Sequence, residues 1–492
     1  MDKKTFASSA MWKIIEAFST KGVALIVSVI LARILLPEDY GIVTLTAVFI
    51  SLSTILVQSG LSTALIRKEN VDETDYNNGF IIGFGIAALC YVLFFFGASI
   101  ISNFYNEPLL IPVIRIQMLS LFLVAFGNIQ TVIITREFRF RELCIANISA
   151  NIISGITGIV FAYLGFGVWA LITYTLLRDG ISNFVIFIRI KWFPSIKFDF
   201  SRLHVLLRFS IWVLIATLVD FIGNNYTSTI MGKKYSLAEL GLYGKGNQLP
   251  EMICLYTFGA ISSVLLPTLS QYQNDAEKLK SICKHLIGMT SFIIFPMMFG
   301  LGLVAKNLVP FLFTEKWSAC VPIFIFACIY YGVNPLRVIN MQLLYALGES
   351  KKSLLIELVR AVILIIGVTF CAFIFKTNIY VIAAFSAVVA IINVLITQFF
   401  TRRFIDYGYK EWIKDMLPAL LLCTGMSVIV FLIGMIPLHP YFIMFMQILI
   451  GIVVYIILSA FTKNCDFNEI KSMIFEKITS RKKQKSNNLE NL

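Results

Sequence analysis

Charge is scarce in this chain: only 14% of its 492 residues are charged, against about 25% in a soluble globule. That excludes a water-soluble fold. Histidine is nearly absent, and His204, His285 and His439 stand at separate expected membrane boundaries. No Gly-rich phosphate loop and no His-Glu-x-x-His pair occurs, so neither an ATP-driven pump nor a zinc hydrolase is supported. The nine cysteines (Cys90, Cys144, Cys254, Cys283, Cys320, Cys328, Cys371, Cys423 and Cys465) are odd in number and lie mostly in apolar stretches. Without paired spacing they suggest neither a disulfide framework nor a metal site. No catalytic set, metal site or cofactor is expected. A cleavable leader is not visible either, because Met1-Asp-Lys-Lys runs into an apolar stretch interrupted by Lys13, Glu16 and Lys21. That stretch reads as the first helix.

What the chain has in quantity is apolar sequence, 58% of all residues. A spanning helix needs ~20 mostly apolar residues. About fourteen such stretches are visible, centred near residues 25, 52, 90, 121, 154, 180, 220, 260, 295, 332, 364, 389, 426 and 451. The expected fold is therefore an all-α polytopic membrane protein of about 14 transmembrane helices. The longest polar intervals, expected as loops or tail, are 191 to 208, 232 to 250, and the residues after Lys463.

The stretches repeat once. Trp12 is matched by Trp212, and Arg33-Ile-Leu-Leu-Pro37-Glu-Asp-Tyr40-Gly41 is set against Gly232 to Tyr243-Gly244. Gly60-Leu-Ser-Thr-Ala-Leu65 is set against Val264 to Leu269, and Asn103 to Pro108 against Phe311-Leu-Phe-Thr-Glu315-Lys-Trp317. Six helices per unit is an even number, so both units enter the membrane in one orientation, related by a pseudo-twofold along its normal. The organisation expected is a six-helix lobe over 1–195, a second over 196–405, two additional helices over 406–462 and a basic tail over 463–492. Two such lobes can rock about a central cleft, exposing it first to one side and then to the other. On that mechanism Tyr40-Gly41 and Tyr243-Gly244 are expected as equivalent outer loops.

Lys and Arg outnumber Asp and Glu by 41 to 28. Alternate assignment of the loops puts 28 of the 41 bases on the side shared by both termini. Six lie opposite, at Lys233, Lys234, Lys245, Lys306, Lys316 and Lys376. The positive-inside rule then makes both termini cytoplasmic. Arg481-Lys-Lys-Gln-Lys485 reads as facing anionic lipid, and no nucleic-acid partner is expected.

Charges within the spans cost ~2.5–3.5 kcal/mol each unless paired or wetted, so they mark candidate sites. The first lobe holds Lys13, Lys21, Arg33, Arg115 and Arg178 against Glu16 and Asp179; the second holds Arg337 and Arg360 against Asp220 and Glu357. A cationic cleft built from Lys21, Arg115, Arg178 and Arg337 would favour an anionic group such as phosphate. Lys13 and Arg33 are near enough to helix ends to snorkel. For the deeper Lys21 and Arg115, substrate contact competes with an internal pair. Arg178 and Asp179 point ~100° apart on a helix and are expected to find separate partners. Glu357 and Arg360 share a face, so a local ion pair is the expected reading, with Glu357 a further candidate for coupling or for a polar cleft. Asp220, Asn224 and Asn225 form a polar strip that could hold a coupling cation or proton, or bond neighbouring helices.

Several motifs resemble the Wzx-type polysaccharide flippases of the multidrug, oligosaccharidyl-lipid and polysaccharide exporter superfamily, the group that includes the colanic-acid and teichuronic-acid exporters. They are Leu31-Ala-Arg33-Ile-Leu-Leu-Pro37-Glu-Asp-Tyr40-Gly41, Gly60-Leu-Ser-Thr-Ala-Leu-Ile-Arg67-Lys68, Phe104-Tyr-Asn-Glu-Pro-Leu-Leu, Gly165-Phe-Gly-Val-Trp169-Ala-Leu, Leu265-Leu-Pro267-Thr-Leu-Ser270 and Glu315-Lys-Trp317. The likeness runs from about residue 5 to 460. It implies a V-shaped pair of six-helix lobes in the bacterial inner membrane, and movement of an undecaprenyl-diphosphate-linked oligosaccharide from the cytoplasmic to the outer leaflet for cell-surface polysaccharide synthesis. The partners on that reading are the lipid-linked oligosaccharide, the membrane, and a polymerase and glycosyltransferases acting on the same sugar. Two alternatives compete. A multidrug antiporter of the same fold typically takes cations, which a basic cleft repels. A membrane enzyme joining lipid-linked sugars would be expected to carry a large outer loop, and none is visible.

Overall fold

The structure, a computed structural model, describes residues 3–58, 61–68, 71–195, 199–462, 466–469 and 471–472. The side chains of most of residues 3–18 and of several in 200–224 lie outside that description, as do Gly60, Cys465 and the basic run 481–485. Among the described residues all regular structure is helical. The first half holds α1 (Lys3–Ile34), α2 (Pro37–Gln58), α3 (Leu61–Arg67), α4 (Glu73–Tyr105), α5 (Leu110–Gln117), α6 (Ser120–Arg136), α7 (Phe140–Tyr163) and α8 (Val168–Ile190). Then follow α9 (Phe200–Lys234), α10 (Leu237–Gln271), α11 (Ala276–Phe313), a 3-10 turn (Glu315–Cys320), α12 (Val321–Ala346), α13 (Ser350–Thr369), α14 (Ile379–Ile405), α15 (Tyr409–Gly434) and α16 (Pro440–Phe461). Eleven helical stretches among the described residues are long and apolar enough to cross a membrane. The protein is an all-helical, multi-pass membrane protein. Three further long helices, α1, α9 and α10, have 32, 35 and 35 residues.

The expected loop over 232 to 250 is not a loop. α9 runs to Lys234 and α10 begins at Leu237, leaving only Tyr235 and Ser236 between them. The Ser236 hydroxyl accepts from the Glu239 backbone N–H (3.2 Å), and Glu239 Oε2 accepts from the Ser236 backbone N–H (2.9 Å). This capping box satisfies two donors that a helix start leaves orphaned. Polar Lys245, Asn247, Gln248 and Glu251 lie on the helix that follows, and their polarity alone suggested a loop.

Contacts group the chain into two compact units. The first comprises Met1–Lys245, Leu312–Trp317 and Ala361–Ile382, and the second Gly246–Phe311, Ser318–Arg360 and Ala383–Leu492. In the first unit α7 presents a small-residue face (Ala146, Ala150, Ser154, Gly155, Gly158, Ala162) toward α1 and α8. Without a hydrophobic drive between helices in lipid, close backbone approach supplies the packing. Its core joins Val27 and Leu31 of α1, and Leu35 just after it, to Ala162, Ala170 and Leu171. The linker between the sequence repeats is tied down by two adjacent asparagines at the start of α4. Asn77 exchanges hydrogen bonds with Ser195 (2.6 and 2.8 Å), and Asn78 with the Asp199 backbone (2.9 and 3.0 Å).

In the second unit Met341 and Leu344 of α12 pack on Ile356 of α13. The two C-terminal helices α15 and α16 pack on one another. α16 is fixed to α11 by the Tyr455 hydroxyl, which donates to the Phe292 carbonyl at 2.8 Å.

Candidate functional site

The second unit gathers three of the charges expected inside the membrane. Glu357 and Arg360 stand one turn apart on α13, and Arg360 Nε donates to Glu357 Oε2 at 2.7 Å. Arg337 of α12 donates to the other Glu357 oxygen and, through Nε, to Asn334 Oδ1 at 3.0 Å. Two guanidiniums thus share one carboxylate, with side-chain exposures of 20% for Arg337, 14% for Glu357 and 6% for Arg360. Each charge is far less costly here than alone, because partial burial strengthens the attraction that offsets desolvation. Pro335 lies beside Asn334 within α12, where it removes one helical hydrogen bond.

The remaining predicted residues stand apart from this cluster. Arg178 pairs with its own neighbour: Nε and Nη2 donate to Asp179 Oδ1 at 3.0 and 2.9 Å. The expectation of separate partners was wrong because the Arg stem is long enough to bend sideways around the helix, across the angle that separates the two Cβ atoms. Arg115 Nε donates to the Phe95 carbonyl at 3.2 Å, with its guanidinium 4.3 Å from the Phe95 ring centroid. Lys21 is exposed on α1. Asn225 Nδ2 donates back to the Phe221 carbonyl of its own helix at 3.0 Å. Asp220 and Asn224 lie on α9 with side chains outside the described residues.

Lys245, expected in an outer loop, is 2% exposed. Its ammonium donates to Ser28 Oγ at 2.8 Å and lies 4.7, 4.5 and 6.0 Å from the ring centroids of Tyr40, Phe313 and Trp317. An aromatic cage of this kind replaces part of a cation's hydration. Glu251, two turns further along α10, was not singled out from sequence at all; it is exposed. The signal that would have found both is the Ser236-Leu-Ala-Glu239 capping box, which starts a helix early enough to place Lys245 and Glu251 well inside it.

The quoted motifs mostly shape helix ends. Asp39 accepts from the Leu36 backbone N–H at 3.0 Å, and its carboxylate also receives the Val168 N–H at the start of α8. The turn before α8 needs positive φ at Gly165 (81°) and Gly167 (55°), which glycine adopts without strain. Carbonyls at the end of α1 are capped by side chains of the 3-10 turn, Trp317 Nε1 on Ala32 O and Lys316 Nζ on Arg33 O, both at 2.8 Å. Arg33 Nε donates to the Leu312 carbonyl at 2.9 Å.

Equivalent turns of the two repeats meet reciprocally within the first unit. A methyl carbon on Gly41 would sit 2.0 Å from the Leu237 carbonyl oxygen, and one on Gly241 would sit 1.9 Å from the Pro37 carbonyl oxygen. The local caps match as well, Asp39 on Leu36 and Glu239 on Ser236. The repeat offset here is thus 200, pairing Gly41 with Gly241. The expected pairing of Tyr40-Gly41 with Tyr243-Gly244 as outer loops is corrected: both segments are helical. Tyr243-Gly244 misled because it repeats the Tyr-Gly pair three residues too late.

Exposed helix faces fall into two chemical kinds. On α4 and α16 they are apolar (Leu89, Leu93, Phe96 and Ile100; Leu449, Ile452 and Val453). On α2 the exposed positions include Ala47, Ser51 and Gln58, and on α10 polar Gln248 and Glu251 are exposed together with apolar Leu255 and Leu266. Apolar faces suit lipid, whereas polar ones suit water or a polar cargo. A separate apolar cavity of about 480 Å³ in the second unit is lined by residues including Met297, Gly300, Val304, Met426, Ile452 and Tyr455.

The sequence profile of the polysaccharide biosynthesis protein family matches residues 30–322. Lipopolysaccharide biosynthesis protein WzxC of Escherichia coli is 22% identical over 380 residues, 76% of this chain and 73% of that protein. Teichuronic acid biosynthesis protein TuaB of Bacillus subtilis is 22% identical, covering 77% of this chain and 78% of its own. Succinoglycan biosynthesis transport protein ExoT of Rhizobium meliloti is 23% identical, covering 66% and 65%. Among solved structures, lipid II flippase MurJ in an inward closed conformation superposes with a TM-score of 0.73 at 18% identity, over 92% of this chain and 99% of that one. An inward-facing MATE multidrug resistance transporter gives 0.63 at 15% identity, over 79% and 94%. These likenesses show a shared fold, and with the profile spanning more than half of its residues, the chain belongs to the polysaccharide biosynthesis protein family.

Proposed function

We propose that this protein is a flippase which moves an undecaprenyl-diphosphate-linked oligosaccharide from the inner to the outer leaflet of the bacterial cytoplasmic membrane by alternating access. The observation that carries the mechanism is the reciprocal contact of Gly41 and Gly241, equivalent points of the two repeats. Two similar halves that meet at one end can part there while closing at the other. The cargo is supported by relatives named for lipopolysaccharide, succinoglycan and teichuronic acid synthesis. On this reading the protein moves its cargo without altering it chemically. Fourteen spans, with α1, α9 and α10 added to the eleven, leave both termini in the cytoplasm.

The two repeats, 1–195 and 196–405, serve as the rocking lobes. Ser51 and Gln58 of α2 and Gln248 and Glu251 of α10 offer polar positions that suit the glycan. Lys21, exposed on α1, and Arg337, the more exposed guanidinium of its cluster, offer charge to the diphosphate. The apolar cavity beside α15 and α16 fits the hydrocarbon end of such a lipid. Polymerase and glycosyltransferases acting on the same sugar are the expected partners.

The test is the leaflet position of the lipid-linked glycan in cells with and without the protein. Depletion should leave the glycan accessible only from the cytoplasmic side. Unchanged appearance in the outer leaflet would overturn the reading.

A further inference from the structure

Arg178 is the eleventh residue of the 23-residue α8, a helix long and apolar enough to cross a membrane. At 1.5 Å per residue it lies ~15 Å from the start of that helix, near the middle of a ~30 Å hydrocarbon layer. Even so, its side chain is 40% exposed and that of Asp179 28%. The lipid side of α8 is marked by Leu177, Phe184 and Ile188, all exposed and within ~20° of one line along the helix. Arg178 and Asp179 are turned ~100° and ~200° from that line. An ion pair exposed on this other side is tolerated where water or a polar ligand reaches it.

Two rungs of hydrogen bonds hold the pair in place. One turn before Arg178 the Tyr174 hydroxyl donates to Asn151 Oδ1 at 3.2 Å, and one turn after it Ser182 Oγ donates to Asn147 Oδ1 at 2.8 Å. Asn147 and Asn151 stand one turn apart on α7, so α8 cannot turn its charges toward lipid without breaking both rungs. The Arg178 guanidinium also donates to the Tyr174 hydroxyl. Together with its two bonds to Asp179 Oδ1, that occupies three of its five N–H donors. The other carboxylate oxygen, Oδ2, has no partner among the described residues.

The open edge of the pair therefore offers N–H donors and a carboxylate acceptor side by side, with no net charge. A phosphate is repelled by the carboxylate beside those donors, and a cation by the guanidinium beside that acceptor. Sugar hydroxyls meet neither objection, because each can donate and accept. One hydroxyl can accept from Arg178 while its neighbour on the ring donates to Asp179.

We propose that Arg178 and Asp179 form a recognition site for uncharged sugar hydroxyls of the cargo, an inference that rests on the flippase reading above. Arg178, expected from sequence to serve an anionic group, reads the glycan instead. The diphosphate is left to other cations.

The test uses the full chain in detergent and two probes: the repeat-unit oligosaccharide of the host's own surface polysaccharide, freed from its lipid diphosphate by mild acid, and inorganic pyrophosphate. Phenylglyoxal modifies accessible guanidiniums, and mass spectrometry reads the rate at Arg178. At ten times its dissociation constant the oligosaccharide should slow that rate about tenfold, and pyrophosphate should leave it unchanged. Asp179→Asn leaves the guanidinium uncompensated and should reverse the preference. Oligosaccharide affinity should fall about tenfold, the worth of one charged hydrogen bond, while pyrophosphate begins to protect Arg178. Wild-type Arg178 modified equally fast with and without the oligosaccharide, or slowed by pyrophosphate instead, would overturn the site, and that measurement does not depend on a variant's folding. A folded Asp179→Asn protein with the wild-type preference would overturn it too. Delivery of the lipid-linked glycan to the outer leaflet without protection of Arg178 removes the sugar site alone. Protection of Arg178 in a protein that delivers no glycan removes the flippase reading and leaves the site standing.

Discussion

Two guanidiniums around one carboxylate make Glu357 the residue on which α12 and α13 depend most. Removing its charge leaves Arg337 and Arg360 facing one another with little water to screen them. Glu357→Gln should cost ~3–5 kcal/mol, the usual loss when one member of a buried ion cluster is removed. Thermal unfolding in detergent should show this as a large drop in melting temperature, and adding Arg337→Met should recover part of it. A variant with unchanged melting temperature would mean the cluster is hydrated and carries no structural weight. Which charges lie inside the membrane was legible in the sequence, because a base or acid within twenty apolar residues has few other places to be. Partner choice was not. Arg178 found Asp179 by bending its stem, Glu357 reached α12 as well as its own helix, and Lys245 chose Ser28 and three aromatic rings from distant parts of the chain. Side-chain reach and tertiary contacts decide such pairings, and neither has a sequence period.

Among elements, the paired starts of α2 and α10 are the most exacting contact. Overpacking a tight backbone approach costs ~1–3 kcal/mol, so Gly41→Ala and Gly241→Ala should each destabilise the protein by that much. Because both methyl groups enter the same contact, the double variant should lose less than the sum of the two. Additive losses would show that the positions act independently. The short segment Asp466–Glu469 carries a different prediction. It docks near the start of α11, with His285 Nε2 3.4 Å from Glu469 Oε1 and Asp466 against Gly288. Burial raises the Asp466 carboxyl above its ordinary range, opposed by the nearby His285. The docked state therefore binds a proton more tightly than the undocked one, so docking should strengthen as pH falls into the carboxylate range and weaken as pH rises out of it. A spin label at Asn468 should become less mobile on acidification, and Asp466→Asn should be immobile throughout that range. Mobility that ignores pH would sink this account. The spans themselves were legible from hydropathy. α10 was misplaced because its first turns are polar, and the capping box at Ser236 carried the information that polarity concealed.

At the scale of the molecule, duplication was readable because it is written in the order of motifs, while its register at the Tyr-Gly pairs was lost to a chance repetition of two residues. The corrected register moves the decisive experiment. Beyond the Gly41 and Gly241 contact, a Cβ on Gly244 would lie 3.7 Å from the Cβ of Thr44, within the 3.5–4.5 Å that a disulfide requires. Thr44→Cys with Gly244→Cys should therefore form a crosslink between α2 and α10 on mild oxidation, where either single variant forms none. If the two repeats part at this end to release cargo, the oxidised double variant should bind the lipid-linked glycan yet fail to deliver it to the outer leaflet, and reduction should restore delivery. The native thiols do not compromise the readout, since seven of the eight described are buried and the single variants report any pairing with them. Full crosslinking with undiminished delivery would mean that α2 and α10 stay together throughout the cycle. The moving boundary would then have to lie elsewhere, and the Gly41 and Gly241 contact would be a fixed seam of the fold, leaving the proposed alternating access without its outer gate.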